Sequence, residues 1–240
     1  MVLQKFWKRI SWKTKKVLQP CRLDEITCLD LDYLKNLIEK DYLTPSRIEY
    51  YQSTSTKNYN LEDGFMEFLV NKATNGQRVA DGHSPLDIIN QQMGIGIDVA
   101  CLCLNGNWSN EKSIIQNFKN AGNDLDNLFQ SNMFNEAIKI YQKCLFNKLF
   151  MSKHKYQVSD LYYLVFVSIK NQIYLMSFKL IIENIFNIRQ NGYTDSMKSI
   201  RIKNFINPKL GKTILYKSKK RIEIRFSKDA IKHFNSLRIV

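Results

Sequence analysis

The stretch that most constrains this chain is residues 80–104, ADGHSPLDIINQQMGIGIDVACLCL. Two apolar runs of strand length, residues 85–90 and 95–104, flank the turn-prone Gln91-Gln92-Met93-Gly94, a pattern that predicts a hairpin. Each run holds one carboxylate among Ile, Val and Leu, Asp87 in the first and Asp98 in the second. An unpaired carboxylate in apolar surroundings takes up a proton rather than remain charged. Two that converge at one end of a sheet therefore require a cation. All-oxygen ligands select Mg²⁺ or Mn²⁺, ions suited to phosphoryl transfer and phosphodiester hydrolysis. The competing reading takes Asp87 as a turn or cap residue and Asp98 as a strand-edge charge.

The net charge of +14 is unevenly spread. Residues 151–240 hold 18 Lys and Arg against 5 Asp and Glu, which leaves 18 against 17 for residues 1–150. Such polarity points to a polyanion. Nucleic acid is favoured over a membrane surface because the basic segment is patterned as strands rather than as an amphipathic helix. The bland alternative is the solvated basic face of a lysine-rich protein. Two groups of cations stand out: Arg189, Lys198, Arg201 and Lys203 in the loop-rich tract 187–204, and Lys217, Lys219, Lys220 and Arg221 at the tip of a hairpin over residues 212–226.

Around the hairpin the periodicity predicts helices over residues 29–42, 61–72, 110–129 and 134–150. Ser109 is the expected N-cap of the third. Glu67, on the helix before the hairpin, is a candidate further acid, against the plainer reading of a solvated helix face. The apolar runs 161–169 and 172–182 read as strands that extend the central sheet, and Ser227 caps a final helix to Leu237. The expected organisation is a helix-rich part with the hairpin over residues 1–150 and a basic, strand-rich part over 151–240, within one compact domain. At 240 residues and 44% hydrophobic, the chain can bury a sizeable core. Its five cysteines lack CxxC spacing and read as core thiols of a reducing cytoplasm. No apolar run reaches the roughly 18 residues of a membrane span, so a soluble protein with no membrane partner is expected.

Pro85-Leu86-Asp87, followed after ten residues by Asp98-Val99-Ala100, resembles the PD-(D/E)xK motif of restriction-endonuclease-like nucleases. The resemblance covers about twenty residues of the 240 and departs at two points. Leu86 separates Pro85 from Asp87, and Ala100 stands where the motif has its lysine. It implies an α/β fold with a mixed central sheet flanked by helices. It also implies a Mg²⁺ site on Asp87 and Asp98, with Glu67 as a further ligand. The implied function is that of a type II restriction endonuclease, which cleaves double-stranded DNA site-specifically as a homodimer. An alanine has no group with which to orient water. Either Lys112 or Lys72 supplies the lysine's role, or the domain does not cleave, or Ala100 replaces a natural lysine. The alternative function is a non-enzymatic DNA- or RNA-binding protein that uses its basic C-terminal half.

Overall fold

The computed structural model describes residues 16–53, 59–79, 84–110, 112–113, 122–169, 172–193, 199–216, 221–233 and 237–238. The chain opens with β1 (Leu18–Pro20) and α1 (Leu31–Leu37), which runs into a π-helical turn at Ile38–Tyr42. It continues through α2 (Pro45–Ser53) and α3 (Asp63–Thr74). Then come β2 (Gln77–Arg78), β3 (Ile88–Asn90), β4 (Ile95–Asn105), β5 (Trp108–Ser109) and β6 (Lys112–Ser113), followed by α4 (Gly122–Gln130) and α5 (Phe134–Tyr156). The remainder is β7 (Asp160–Ile169), β8 (Gln172–Leu180), β9 (Arg189–Tyr193), β10 (Ser199–Lys203), β11 (Gly211–Tyr216), β12 (Arg221–Phe226), α6 (Lys228–His233) and β13 (Leu237–Arg238). Among the described residues no helix is long and apolar enough to cross a membrane. None of the five cysteines forms a disulfide. Burial pushes the Cys21 thiol up to about 12, as suits a core thiol.

The central sheet has the order β1-β8-β7-β4-β3-β2, with β13 also on β8 and β5 also on β4. The expected hairpin is present: β3 pairs antiparallel with β4 from Ile88↔Ile97 to Asn90↔Ile95. β4 then pairs parallel with β7 from Ile95↔Asp160 to Cys103↔Ser168, while β7 and β8 are antiparallel. The sheet is thus mixed. Its one long parallel pair needs a crossover, which passes through α4 and α5.

Alternation along β4 and β7 splits the interior into two layers. Ile97, Val99 and Cys101 of β4, with Tyr162, Leu164 and Phe166 of β7, face the N-terminal helices, where Leu34, Ile38, Met66, Leu69 and Val70 meet them. Ala100 and Leu102, with Tyr163, Val165 and Val167, face the other way onto α5 and a second sheet. That second sheet is antiparallel throughout, in the order β6-β12-β11-β10-β9. Phe178 of β8 meets Phe226 of β12 at 5.4 Å between ring centroids and joins the two sheets.

Three sequence expectations change. Of the helix expected over 110–129, Gly122–Gln130 is helical, whereas Lys112–Ser113 is a strand on β12. Ser109 is buried, and its hydroxyl accepts from the Phe226 backbone N–H at 2.9 Å rather than capping a helix. The tract 187–204 contains two strands, β9 and β10, whose backbone groups find ladder partners instead of solvent. The final helix starts as expected, with Ser227 Oγ accepting from Ala230 N–H at 3.1 Å, but Leu237 pairs with β8 as a strand. The compositional change near Met151 falls inside α5, and β7 and β8 join the central sheet as expected.

Phe178→Ala removes the ring that joins the sheets and leaves a cavity in a fully buried position. The expected loss is about 3–5 kcal/mol, read from urea unfolding midpoints at constant m-value.

Candidate functional site

The site arises where two strands part. β3 stays with β4 only as far as the Asp87 N–H, which donates to the Ile97 carbonyl at 2.9 Å. Between Ile97 and the short pairing with β5 at Leu104, the N–H groups on that edge of β4 have no strand beside them, and a buried N–H left unmade costs about 1–3 kcal/mol. Side chains take the strand's place. Val99 N–H donates to Asp87 Oδ2 at 2.8 Å, Cys101 N–H to Asp63 Oδ1 at 2.9 Å, and Cys103 N–H to Asn110 Oδ1 at 3.0 Å. Two carboxylates are therefore fixed one strand period apart on an open edge. Asp63 comes from the first turn of α3, where an acid also suits the helix dipole.

Asp98 lies on β4 itself, half-buried, on the face it shares with Ala100. Its register partner on β7 is Tyr163. Burial raises the Tyr163 phenol well above its ordinary value, and the charges of Asp98, Asp63 and Asp87 raise it further. One fully buried ring thus feels all three carboxylates. Its hydroxyl has no hydrogen-bond partner among the described residues. Glu67 stands one helical turn after Asp63. Burial raises its pKa and the Asp87 charge adds to this, while a 3.0 Å hydrogen bond from Arg78 Nη2 to Glu67 Oε2 opposes them.

The sequence candidates Asp87, Asp98 and Glu67 are thus brought to one region, with Asp63 as an addition. Among the described residues no three His, Cys, Asp or Glu side chains are grouped so as to hold a metal ion. Mg²⁺ is often held by only one or two carboxylates plus water and substrate phosphate. An all-oxygen donor set on a rigid edge fits such an ion. Asp63 was hidden in the sequence because a first-turn acid is explained by the helix dipole alone. The available signal was its spacing of four residues from Glu67.

The lysine candidates lie otherwise. Ala100 is 1% exposed and packed in the core layer. The Lys112 backbone belongs to β6, paired with Ile224, so the helix that was to aim it at the carboxylates is absent. Lys72 sits over the Phe68 ring at 4.6 Å and 4.0 Å from Asp41.

The basic residues divide similarly. Arg201 and Lys203 are exposed on β10. Arg189, on β9, donates to the Phe186 and Ile188 carbonyls. Arg221 is held by Glu223, which is 1% exposed, through a 2.6 Å hydrogen bond. Lys198, Lys217, Lys219 and Lys220 lie outside the described residues. Sequence reasoning passed over Lys212, Arg225 and Trp108, which border a cavity of about 450 Å³ with Arg201 and Lys203. No family model matches the chain, and no curated protein or solved structure matches it significantly.

Asp87→Asn keeps an oxygen for the Val99 N–H, whereas Asp87→Ala leaves that donor unpaired. The alanine variant is expected to be about 1–3 kcal/mol less stable than the asparagine variant by urea unfolding. Glu67 gives a pH signature. Its folded pKa is raised, so its contribution to stability is complete below the ordinary value of 4.5 and is lost as pH rises through the folded pKa. Glu67→Gln removes that loss. The stability of the variant relative to the parent should therefore grow between pH 4.5 and pH 7, read from unfolding free energies at each pH.

Proposed function

We propose that the chain is a type II restriction endonuclease, hydrolysing double-stranded DNA at specific sites with Mg²⁺. The observation that carries the reading is that Asp87 and Asp63 bond neighbouring N–H groups of β4 where β3 departs, on the same stretch of strand that carries Asp98. The mixed sheet flanked by helices agrees with the fold that the motif resemblance implies. Asp87 and Asp98 would hold the metal, each fixed by strand geometry before substrate arrives. Bound there, Mg²⁺ lowers the pKa of water and neutralises charge on the phosphate. The Val99 N–H holds Asp87 in orientation, and the Cys101 N–H holds Asp63 beside it. Glu67, with raised proton affinity beside Asp87, is suited to accept the proton released as water attacks phosphorus and one P–O ester bond breaks. A two-fold DNA site read by a single chain implies a homodimer.

A second reading is favoured by one observation. The motif-lysine position is Ala100, buried and without a polar group, as in a DNA- or RNA-binding protein that keeps Asp87 and Asp98 as edge-capping residues. Ala100 shares a face with Asp98, so a lysine there reaches that carboxylate only by routing its ammonium outward from the core layer.

Supercoiled plasmid with Mg²⁺ decides between them. The chain is expected to nick slowly. Ala100→Lys should raise the rate by about 10²–10⁴, the worth of a positioned proton donor or cation, and Asp98→Asn should abolish it. If neither the chain nor Ala100→Lys cuts with Mg²⁺ or Mn²⁺, and Asp98→Asn leaves metal affinity unchanged, the binding-protein reading replaces the nuclease.

A further inference from the structure

The outward face of the second sheet carries cations in a row across its strands. Arg189 of β9 pairs in register with Lys203 of β10. Lys203 follows Ile202, the partner of Thr213, and so stands beside Lys212 of β11, which pairs with Arg225 of β12. Ile202 and Thr213 point into the core, so Lys203 and Lys212 share the opposite, exposed face. With strands about 4.8 Å apart, the row is about 14 Å long. Like charges directly opposite one another destabilise a sheet. Strands β9 to β12 contain one carboxylate, Glu223, and it is buried and bound by Arg221. Crowding of cations is felt nearby as well. The Lys16 ammonium has a lowered pKa, first from burial and then from the charge of Lys203.

We propose that this row is a binding track for the phosphate backbone of duplex DNA, an inference that rests on the nucleic-acid reading above and names the surface for it. A polyanion offers counter-charge to the exposed Lys203 and Lys212 of this row. The Trp108 ring lies 4.0 Å from the Lys212 ammonium, bordering the cavity of about 450 Å³ beside the row, and fixes that cation over the sheet. Trp108 pairs with Asn105 at the end of β4. It lies seven residues along that strand from Asp98, at most about 24 Å, or about seven base pairs of B-DNA. A lipid surface is a poorer fit because, among the described residues, no large hydrophobic side chain is exposed on β9 to β12.

The test measures binding of the full chain to a labelled duplex by fluorescence anisotropy without divalent metal, so that cleavage does not enter. Lys203 and Lys212 are both exposed, so the double variant Lys203→Gln/Lys212→Gln should fold normally, with an unchanged circular dichroism spectrum. It is expected to bind at least about tenfold more weakly, and the slope of log K against log salt should fall by about 1.8, or about 0.9 for each phosphate no longer neutralised. A folded double variant with unchanged affinity and slope overturns the proposal. So does a parent chain that prefers phosphatidylserine vesicles to duplex DNA. Normal binding by this pattern with no plasmid cleavage removes the nuclease reading alone and leaves the track in place.

Discussion

Two of the candidate catalytic groups, Asp87 and Asp63, depend on backbone donors left open at one place. β4 is eleven residues long and β3 only three, so most of one edge of the strand has no ladder beside it. Two of those N–H groups are part-buried and one is exposed, and side-chain oxygens from three different segments bond them. The same bonds that stabilise the edge hold Asp87 and Asp63 at fixed positions. Stability and pre-organisation of the site are thus one arrangement, and carboxylates serve it better than amides wherever a cation is also to be bound.

The two-sided burial of the central sheet accounts for Ala100. Residues 98, 100 and 102 project into the layer between the sheet, α5 and the second sheet, where Val165 and Phe178 are completely enclosed. Asp98 is half-buried on that face while Ala100 is fully covered, so the rim of the site lies between them. A lysine at position 100 has to route its ammonium outward past Asp98, and the packing there decides whether the position supports chemistry or only the core. Tyr163, whose buried hydroxyl meets no hydrogen-bond partner among the described residues, marks the same rim from β7, next to three acids.

The charge asymmetry resolves into a surface once the strands are placed. Cations separated by up to 36 residues in the chain, Arg189 to Arg225, line up because antiparallel pairing carries them to adjacent strands at matching heights. Arg221 leaves that population because the buried Glu223 carboxylate needs it.

Alternation and turn chemistry made the hairpin, the strands β7 and β8, and the helices at α3 and α5 legible in the sequence, since each buries one face with its own local period. The charged half of the chain was legible by counting. The site was legible only in part: Asp87 and Asp98 stand out because a carboxylate among Ile and Val is costly, whereas Asp63 looks like any first-turn acid. Residues 110–129 failed as a single helix because Ser109 and Lys112 are recruited by β12, more than a hundred residues later, a partner that no local pattern reveals. Tertiary structure alone decided which edge of β4 is open, which oxygen meets each orphan donor, and which cations share a face. All three follow from pairing between distant segments, where the free energy of satisfying backbone groups outweighs local propensity.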